Sequence, residues 1–195
     1  MRTYQKIQAT LLASLLSTTV IGAGAVGATT IHHTSSSALA HAAKPAPKIL
    51  KVAFHGTYRG TMAILWSSTG GKATAVRGRG AGTYLGASQM VGTGSAPASS
   101  TCDPMTGTGY LLGGGSKLVL SVVTSSSQAC AAGQAAPTSI SVKGVAKVVS
   151  GLGKWKGATG NLNFTGSFSI QKTTAGSSET DSFTATLKGT LSIRK

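Results

Sequence analysis

The sequence contains few side chains that are suited to acid–base catalysis. Its 195 residues include only three acids, Asp103, Glu179 and Asp181. Asp103 adjoins a cysteine in a predicted loop and the other two acids fall at the predicted final turn, so we expect no pair of carboxylates to share a site. His55 is the only histidine well inside the folded region, and the alternation of its neighbours predicts that it faces outward. We therefore predict no catalytic residues.

Basic residues far outnumber the acids. The 18 lysines and arginines give a formal net charge of +15, which favours association with polyanions. Nucleic acid is the less favoured polyanion because only 5% of the residues are aromatic and base stacking needs such side chains. Anionic polymers of the cell envelope rank first, and the alternative is a scattered charge that only keeps the protein soluble. The candidate anion-binding residues, which we expect to form one cationic rim, are Lys72, Arg77, Arg79, Lys143, Lys147, Lys154 and Lys156.

The N-terminal segment has the pattern of a secretory signal. Arg2 and Lys6 precede an uncharged stretch over residues 11–28 that is rich in Leu, Ala, Val and Gly. We interpret residues 1–42 as signal peptide and leader, cleaved between 28 and 42, and residues 43–48 as a Pro/Lys linker. An uncleaved membrane anchor is the alternative. The expected location is outside the cell, in association with the cell envelope.

Two cysteines, Cys102 and Cys130, stand alone in the sequence. In a secreted domain an isolated pair predicts a disulfide, and two free thiols are the alternative. The pair and His55 do not have the spacing of a recognised metal-ligand set. We predict neither a metal site nor a cofactor.

From residue 49 onward, apolar and polar side chains alternate with the period of a β-strand. The clearest runs are Leu118–Val122, Ile140–Val148, Leu162–Ile170 and Phe183–Ile193. All four phenylalanines lie on predicted inward faces, and glycines on those faces permit the strong coiling that a closed sheet needs. We predict an all-β fold, a single closed or nearly closed antiparallel barrel of about eight strands over residues 49–195.

Two segments of the chain are similar to each other. The segments that begin at Gly80 and at Gly151 both read G-x-G-x-aromatic-x-G-A-S/T, with Tyr84 and Trp155 as the aromatic residues. A repeat at half the domain length predicts two related hairpins, in which the aromatic side chain closes an end of the barrel. A chance similarity within a glycine-rich chain is the alternative.

The second copy and its surroundings, residues 148–166, resemble the glycine-rich segment of the allene oxide cyclase and dirigent-like barrels. The resemblance is greatest to their secreted bacterial relatives, in which a strand ends in a glycine pair, an aromatic residue follows, and G-A-T-G leads into the next strand. Here those elements are Gly151 and Gly153, Trp155, and the run 157–160. The resemblance implies a calycin-like antiparallel barrel.

The resemblance also implies an alternative function. Plant members of the family rearrange reactive small molecules in an apolar cavity that holds a few polar or acidic residues, although no acid of this sequence matches theirs. A barrel of this kind would bind or isomerise an apolar small molecule. The candidate ligand-binding residues, in the cavity or at a barrel end, are Trp66, Tyr84, Tyr110 and Trp155. The leading hypothesis is a noncatalytic secreted module that binds anionic envelope polymers.

Overall fold

The computed structural model describes residues 47–133 and 135–194, and these residues form mostly β-strands. The ten strands are β1 (Ile49–Ser67), β2 (Gly70–Gly82), β3 (Gly86–Pro97), β4 (Cys102–Pro104), β5 (Thr106–Gly113), β6 (Ser116–Val122), β7 (Gln128–Ala131), β8 (Thr138–Leu152), β9 (Ala158–Ile170) and β10 (Ser178–Arg194). Two single-turn 3-10 segments, Thr124–Ser126 and Gly153–Trp155, lie between strands. Within the described residues, no helix has the length and apolar character that a membrane crossing requires. The signal peptide and leader predicted over residues 1–42 lie outside the described residues.

Eight of the strands close into an antiparallel barrel. Around the barrel they follow the order β1, β2, β3, β5, β6, β8, β9 and β10, and β10 pairs with β1 to complete the circle. Because β8 pairs with both β6 and β9, closure leaves no free edge within the ring. The predicted all-β fold with a single closed barrel is confirmed.

The alternation of the sequence decides which side chains fill the barrel. On β1, every second residue from Val52 to Tyr58 is buried, while the residues between them are exposed. All four phenylalanines face inward as predicted, two of them buried and two partly buried. The inward faces therefore form two apolar clusters, one toward each end of the barrel.

One end of the barrel is closed by packed side chains. Trp155, in the turn between β8 and β9, is fully buried and packs edge-on against Phe54 with 5.6 Å between ring centroids. Tyr84 lies 5.5 Å from Trp155, so the two similar segments meet at this end. In the first segment, however, Tyr84 is 46% exposed and the next residue, Leu85, is the buried one. The expectation that an aromatic side chain closes the barrel therefore holds for the second segment alone.

Glycine makes room for a long side chain in this closed half. Tyr58 on β1 extends across β2, and its hydroxyl is hydrogen-bonded to that of Ser88 on β3 at 3.1 Å. A Cβ at Gly82 of β2 would come within 2.8 Å of the Tyr58 oxygen, so only a residue without a side chain leaves this path open. Burial raises the pKa of the Tyr58 phenol, and the hydrogen bond to Ser88 partly offsets that effect.

The two remaining strands form a short ribbon beside the barrel. β4 pairs with β7, which pairs with β8, and Cys102 lies opposite Cys130 in this ribbon. The two cysteines form a disulfide, which confirms that prediction. The Asp103 carboxylate accepts hydrogen bonds from the hydroxyl and backbone N–H groups of Ser99 and Ser100. These bonds hold the pKa of Asp103 below its usual value, and the bond from the Ser99 hydroxyl has the largest effect.

Replacing both cysteines by serine should lower the free energy of unfolding by about 3–4 kcal/mol. The bridge joins residues that are 28 positions apart, and a closed loop of that size restricts the unfolded chain to this extent in the chain-entropy account. Urea unfolding of wild type and of Cys102→Ser/Cys130→Ser measures the difference, with Ser125→Ala in the exposed loop as control. A loss below about 1 kcal/mol would contradict the expectation.

Candidate functional site

The second half of the barrel is hollow. It encloses a cavity of about 650 Å³ whose lining is mostly apolar. Loop residues 98–101 and Thr173 also line it, so the cavity extends to the end of the barrel opposite Trp155. Side chains that form its walls include Met62, Ile64, Trp66, Met90, Ile140 and Phe183.

The cavity exists because facing positions on β3 and β5 lack side chains. Gly92 pairs with Gly109 and Gly94 pairs with Gly107, all on the inward face. The atoms nearest to a Cβ at Gly92, Gly94 or Gly109 belong to the backbone of the adjacent strand, and no ring covers them. The sequence analysis missed this feature, although Gly-Thr-Gly occurs in both strands at the inward register.

The carboxylate of Glu179 connects two elements at the open end of the barrel. The Trp66 indole N–H donates a hydrogen bond of 2.7 Å to Oε1 of Glu179. The other oxygen, Oε2, accepts the backbone N–H groups of Gln171 and Lys172 at 2.8 and 3.2 Å. Glu179 therefore connects β1 to the turn that follows β9. Glu179 lies within β10 rather than at the final turn as expected. Trp66, one of the predicted ligand-binding residues, borders the cavity.

A second acid, Asp181, turns toward the interior. The alternation of β10 places Asp181 on the same inward face as Phe183. Asp181 is paired with the wall residue Met62 of β1. Its Oδ2 atom is buried and has no hydrogen-bond partner among the described residues. Burial, and in addition the charge of Glu179, raises the pKa of Asp181. The expectation that Asp181 lies in a turn is wrong because β10 already begins at Ser178.

Of the other three predicted ligand-binding residues, two lie away from the cavity, and Tyr110 belongs to its lining. Trp155 and Tyr84 are at the closed end. Tyr110 follows the alternation of β5, in which its neighbour Leu111 is buried, so the Tyr110 ring faces outward. The ammonium group of Lys117 lies 4.1 Å from the centroid of that ring, an arrangement that is typical of a cation–π contact.

The predicted anion-binding residues do not form one cationic rim. They occupy the outer faces of two strands and the closed end: Lys72, Arg77 and Arg79 on β2, Lys143 and Lys147 on β8, and Lys154 and Lys156 beside Trp155. Three strands separate β2 from β8 in either direction around the barrel, so those two groups face opposite ways. The repeat brings the two turns together but not the strands that carry these cations. The side chains of Lys154 and Lys156 are exposed.

A concentration of positive charge on β1 and β2 joins two of the predicted anion-binding residues to Arg59, which the sequence analysis missed. Arg59 is directly opposite Arg79, and Arg77 lies two residues further along the same outer face. We refer to these three residues as the arginine cluster. Like charges in facing strand positions are destabilising unless something compensates them. The alternation around buried Tyr58 was the sequence signal that places Arg59 outside.

Within residues 47–133 and 135–194, no three His, Cys, Asp or Glu side chains are grouped so as to hold a metal ion. No protein-family model, no curated protein and no solved structure matches this chain. The cavity and the outer surface are therefore the features from which a function can be argued.

The substitution Asp181→Asn should stabilise the fold at neutral pH. Because the pKa of Asp181 is raised by folding, its protonated form stabilises the fold at low pH, and that contribution is lost as the pH rises through the folded-state pKa. The neutral amide avoids this loss. We expect the variant to melt about 2–4 °C above wild type at pH 7.

The same melting experiment at lower pH separates ionisation from packing. The difference between Asp181→Asn and wild type should vanish below the ordinary pKa of aspartate, 3.8. Ser182→Ala, a neighbouring exposed position, serves as control and should melt like wild type at every pH. A difference that stays constant with pH would show that ionisation of Asp181 is not its cause.

Proposed function

We propose that this protein binds an apolar small molecule in the hollow half of its barrel. The observation that carries the proposal is the cavity of about 650 Å³ with its mostly apolar lining. Small-molecule sites are usually concavities of this size with apolar walls and a few polar groups. The polar residues of that lining include Ser99, Ser100 and Asp103 beside the open end.

The composition of the lining indicates the kind of ligand. Most wall residues are apolar, and the Asp103 carboxylate already accepts hydrogen bonds from Ser99 and Ser100. The favoured ligand is therefore an uncharged, largely apolar molecule. The resemblance of residues 148–166 to the allene oxide cyclase and dirigent-like barrels supports the same proposal, since that family implies an apolar cavity ligand.

A second candidate function rests on the charge of the outer surface. The sequence has only three acids, and none of them is on the outer face of a barrel strand. Asp103 is bound by Ser99 and Ser100, Glu179 by Trp66, and Asp181 faces inward. The external lysines and arginines thus lack neighbouring carboxylates. We propose that the protein is secreted and associates through this charge with anionic polymers of the cell envelope.

Filling the cavity should abolish binding of an apolar ligand. Ala73 and Ala185 line the cavity from β2 and β10, and leucine at both positions would occupy part of it. We expect Ala73→Leu/Ala185→Leu to bind the uncharged fluorophore N-phenyl-1-naphthylamine at least about tenfold more weakly than wild type, a loss of roughly 1.4 kcal/mol.

The control for this titration is Ala53→Leu, which adds the same side chain on the exposed face of β1. It should bind the fluorophore like wild type. Thermal melting confirms that each variant is folded before binding is compared. Equal binding by wild type and the cavity variant would remove the proposal, because the fluorophore would then occupy another site.

Electrostatic association predicts retention on purified cell wall that falls steeply with salt. Binding through several phosphate-like contacts releases counterions and weakens as ionic strength rises. A pull-down at low and at high salt measures the retained fraction. Retention that salt does not change, or no retention even at low salt, would contradict the second candidate function.

A further inference from the structure

We propose that the outer face of β1, β2, β8, β9 and β10 carries a specific site for a phosphate-linked polyol chain. The inference rests on the second candidate function and deepens it, because it names the site and the chemistry of the polymer. Its two parts are the arginine cluster and an adjoining groove that is lined by hydroxyl groups.

The arginine cluster presents guanidinium groups in a regular arrangement. Arg59 and Arg79 face each other on adjacent strands, where Cβ atoms are about 4.5–5.5 Å apart. Arg77 and Arg79 are alternate residues of β2, so they are separated along the strand by about 7 Å. No carboxylate of the chain lies on this face to compensate the charges. A bound anion would relieve their mutual repulsion.

The groove begins where the arginine cluster ends. It has a volume of about 450 Å³, and Arg59 is among the residues that line it. Its lining also includes Phe168 and Phe183, which occupy inward positions in the alternation of β9 and β10. We refer to it as the hydroxyl groove. The side chains that line it are Ser139, Ser167, Ser169, Ser182 and Thr184.

The hydroxyl groove and the arginine cluster form one continuous row across the sheet. Thr184 of β10 pairs with Ser167 of β9 on one side and with Arg59 of β1 on the other, and Arg59 pairs with Arg79. The hydroxyl oxygens of Ser167 and Thr184 are 3.2 Å apart. A ligand that lies along this row would meet guanidinium groups at one end and hydroxyl groups at the other.

The composition of this row selects the class of ligand. Guanidinium groups bind phosphate oxygens in a bidentate manner, and hydroxyl groups exchange hydrogen bonds with other hydroxyls. A chain in which phosphates alternate with polyol units offers both kinds of group at short intervals. The groove has no outward-facing aromatic side chain on which a base could stack, so nucleic acid is a poorer match.

The first experiment removes charge from the site. The purified protein is titrated with poly(glycerol phosphate), and Arg59→Gln/Arg79→Gln should bind it at least about tenfold more weakly than wild type. The slope of log K against log salt should also become shallower by about 1 for each phosphate that the variant no longer neutralises.

A matched control removes the same charge elsewhere. Lys154 and Lys156 are exposed at the closed end, and Lys154→Gln/Lys156→Gln should weaken binding less than about twofold. Equal losses in the two double variants would overturn the site while leaving general electrostatic association intact. No binding by wild type even at low salt would overturn both.

The second experiment tests the hydroxyl groove. Ser167→Ala/Thr184→Val removes two hydroxyls with little change of shape, and it should weaken binding of poly(glycerol phosphate) about threefold or more. Binding of inorganic polyphosphate, which has no polyol, should not change. The control Thr165→Ala/Thr186→Val alters a facing pair on the same two strands outside the groove and should bind both polymers like wild type.

The outcomes of this second experiment are distinct. A loss confined to poly(glycerol phosphate) supports the assigned ligand class. No effect on either polymer would show that the arginines bind phosphate alone, and equal losses for both would show that the hydroxyls do not select the polyol. Either result would overturn the polyol part of the proposal. Melting temperatures of all four double variants establish that each one is folded.

Discussion

The interior of this barrel depends on aromatic rings that extend over glycine positions of neighbouring strands. Tyr58 passes over Gly82 to reach Ser88, and Phe183 lies over Gly78. On β3 and β5 the inward glycines face each other and no ring lies above them. The same residue type therefore produces a solid half and a hollow half, and the reach of a few aromatic side chains from β1 and β10 decides which half is which.

The two ends of the barrel are held by different forces. At the closed end, Trp155 packs against Phe54 within a large apolar cluster. Toward the open end, a second apolar cluster forms the cavity walls without filling the interior. Further bonds supplement packing at that end: the bridge between Cys102 and Cys130, and the Glu179 carboxylate that connects Trp66 to two backbone N–H groups.

The positions of the three acidic residues affect both the interior and the outer surface. Each of the three carboxylates serves the interior or the loops at the open end, so the outer faces of the barrel strands keep only their cations. This arrangement costs free energy at Asp181, because one of its oxygens is buried without a hydrogen-bond partner among the described residues. The two proposed functions, binding of an apolar ligand inside and of an anionic polymer outside, are therefore compatible within one domain.

The sequence by itself determined the all-β fold, the inward and outward faces of the clearest strands and the disulfide, because an alternation of period two is local and the chain has a single pair of cysteines. The stretch 77–116, which contains β3, β4 and β5, is too irregular for its strands to be assigned in this way. It also contained the outward position of Arg59 and the inward position of Asp181, which follow once the strands are extended by a few residues. Only the tertiary structure decided which strands are neighbours: it placed β2 opposite β8, paired Arg59 with Arg79, and left the glycines of β3 and β5 uncovered. Strand order and ring placement depend on contacts between residues far apart in the chain, and no local pattern specifies them.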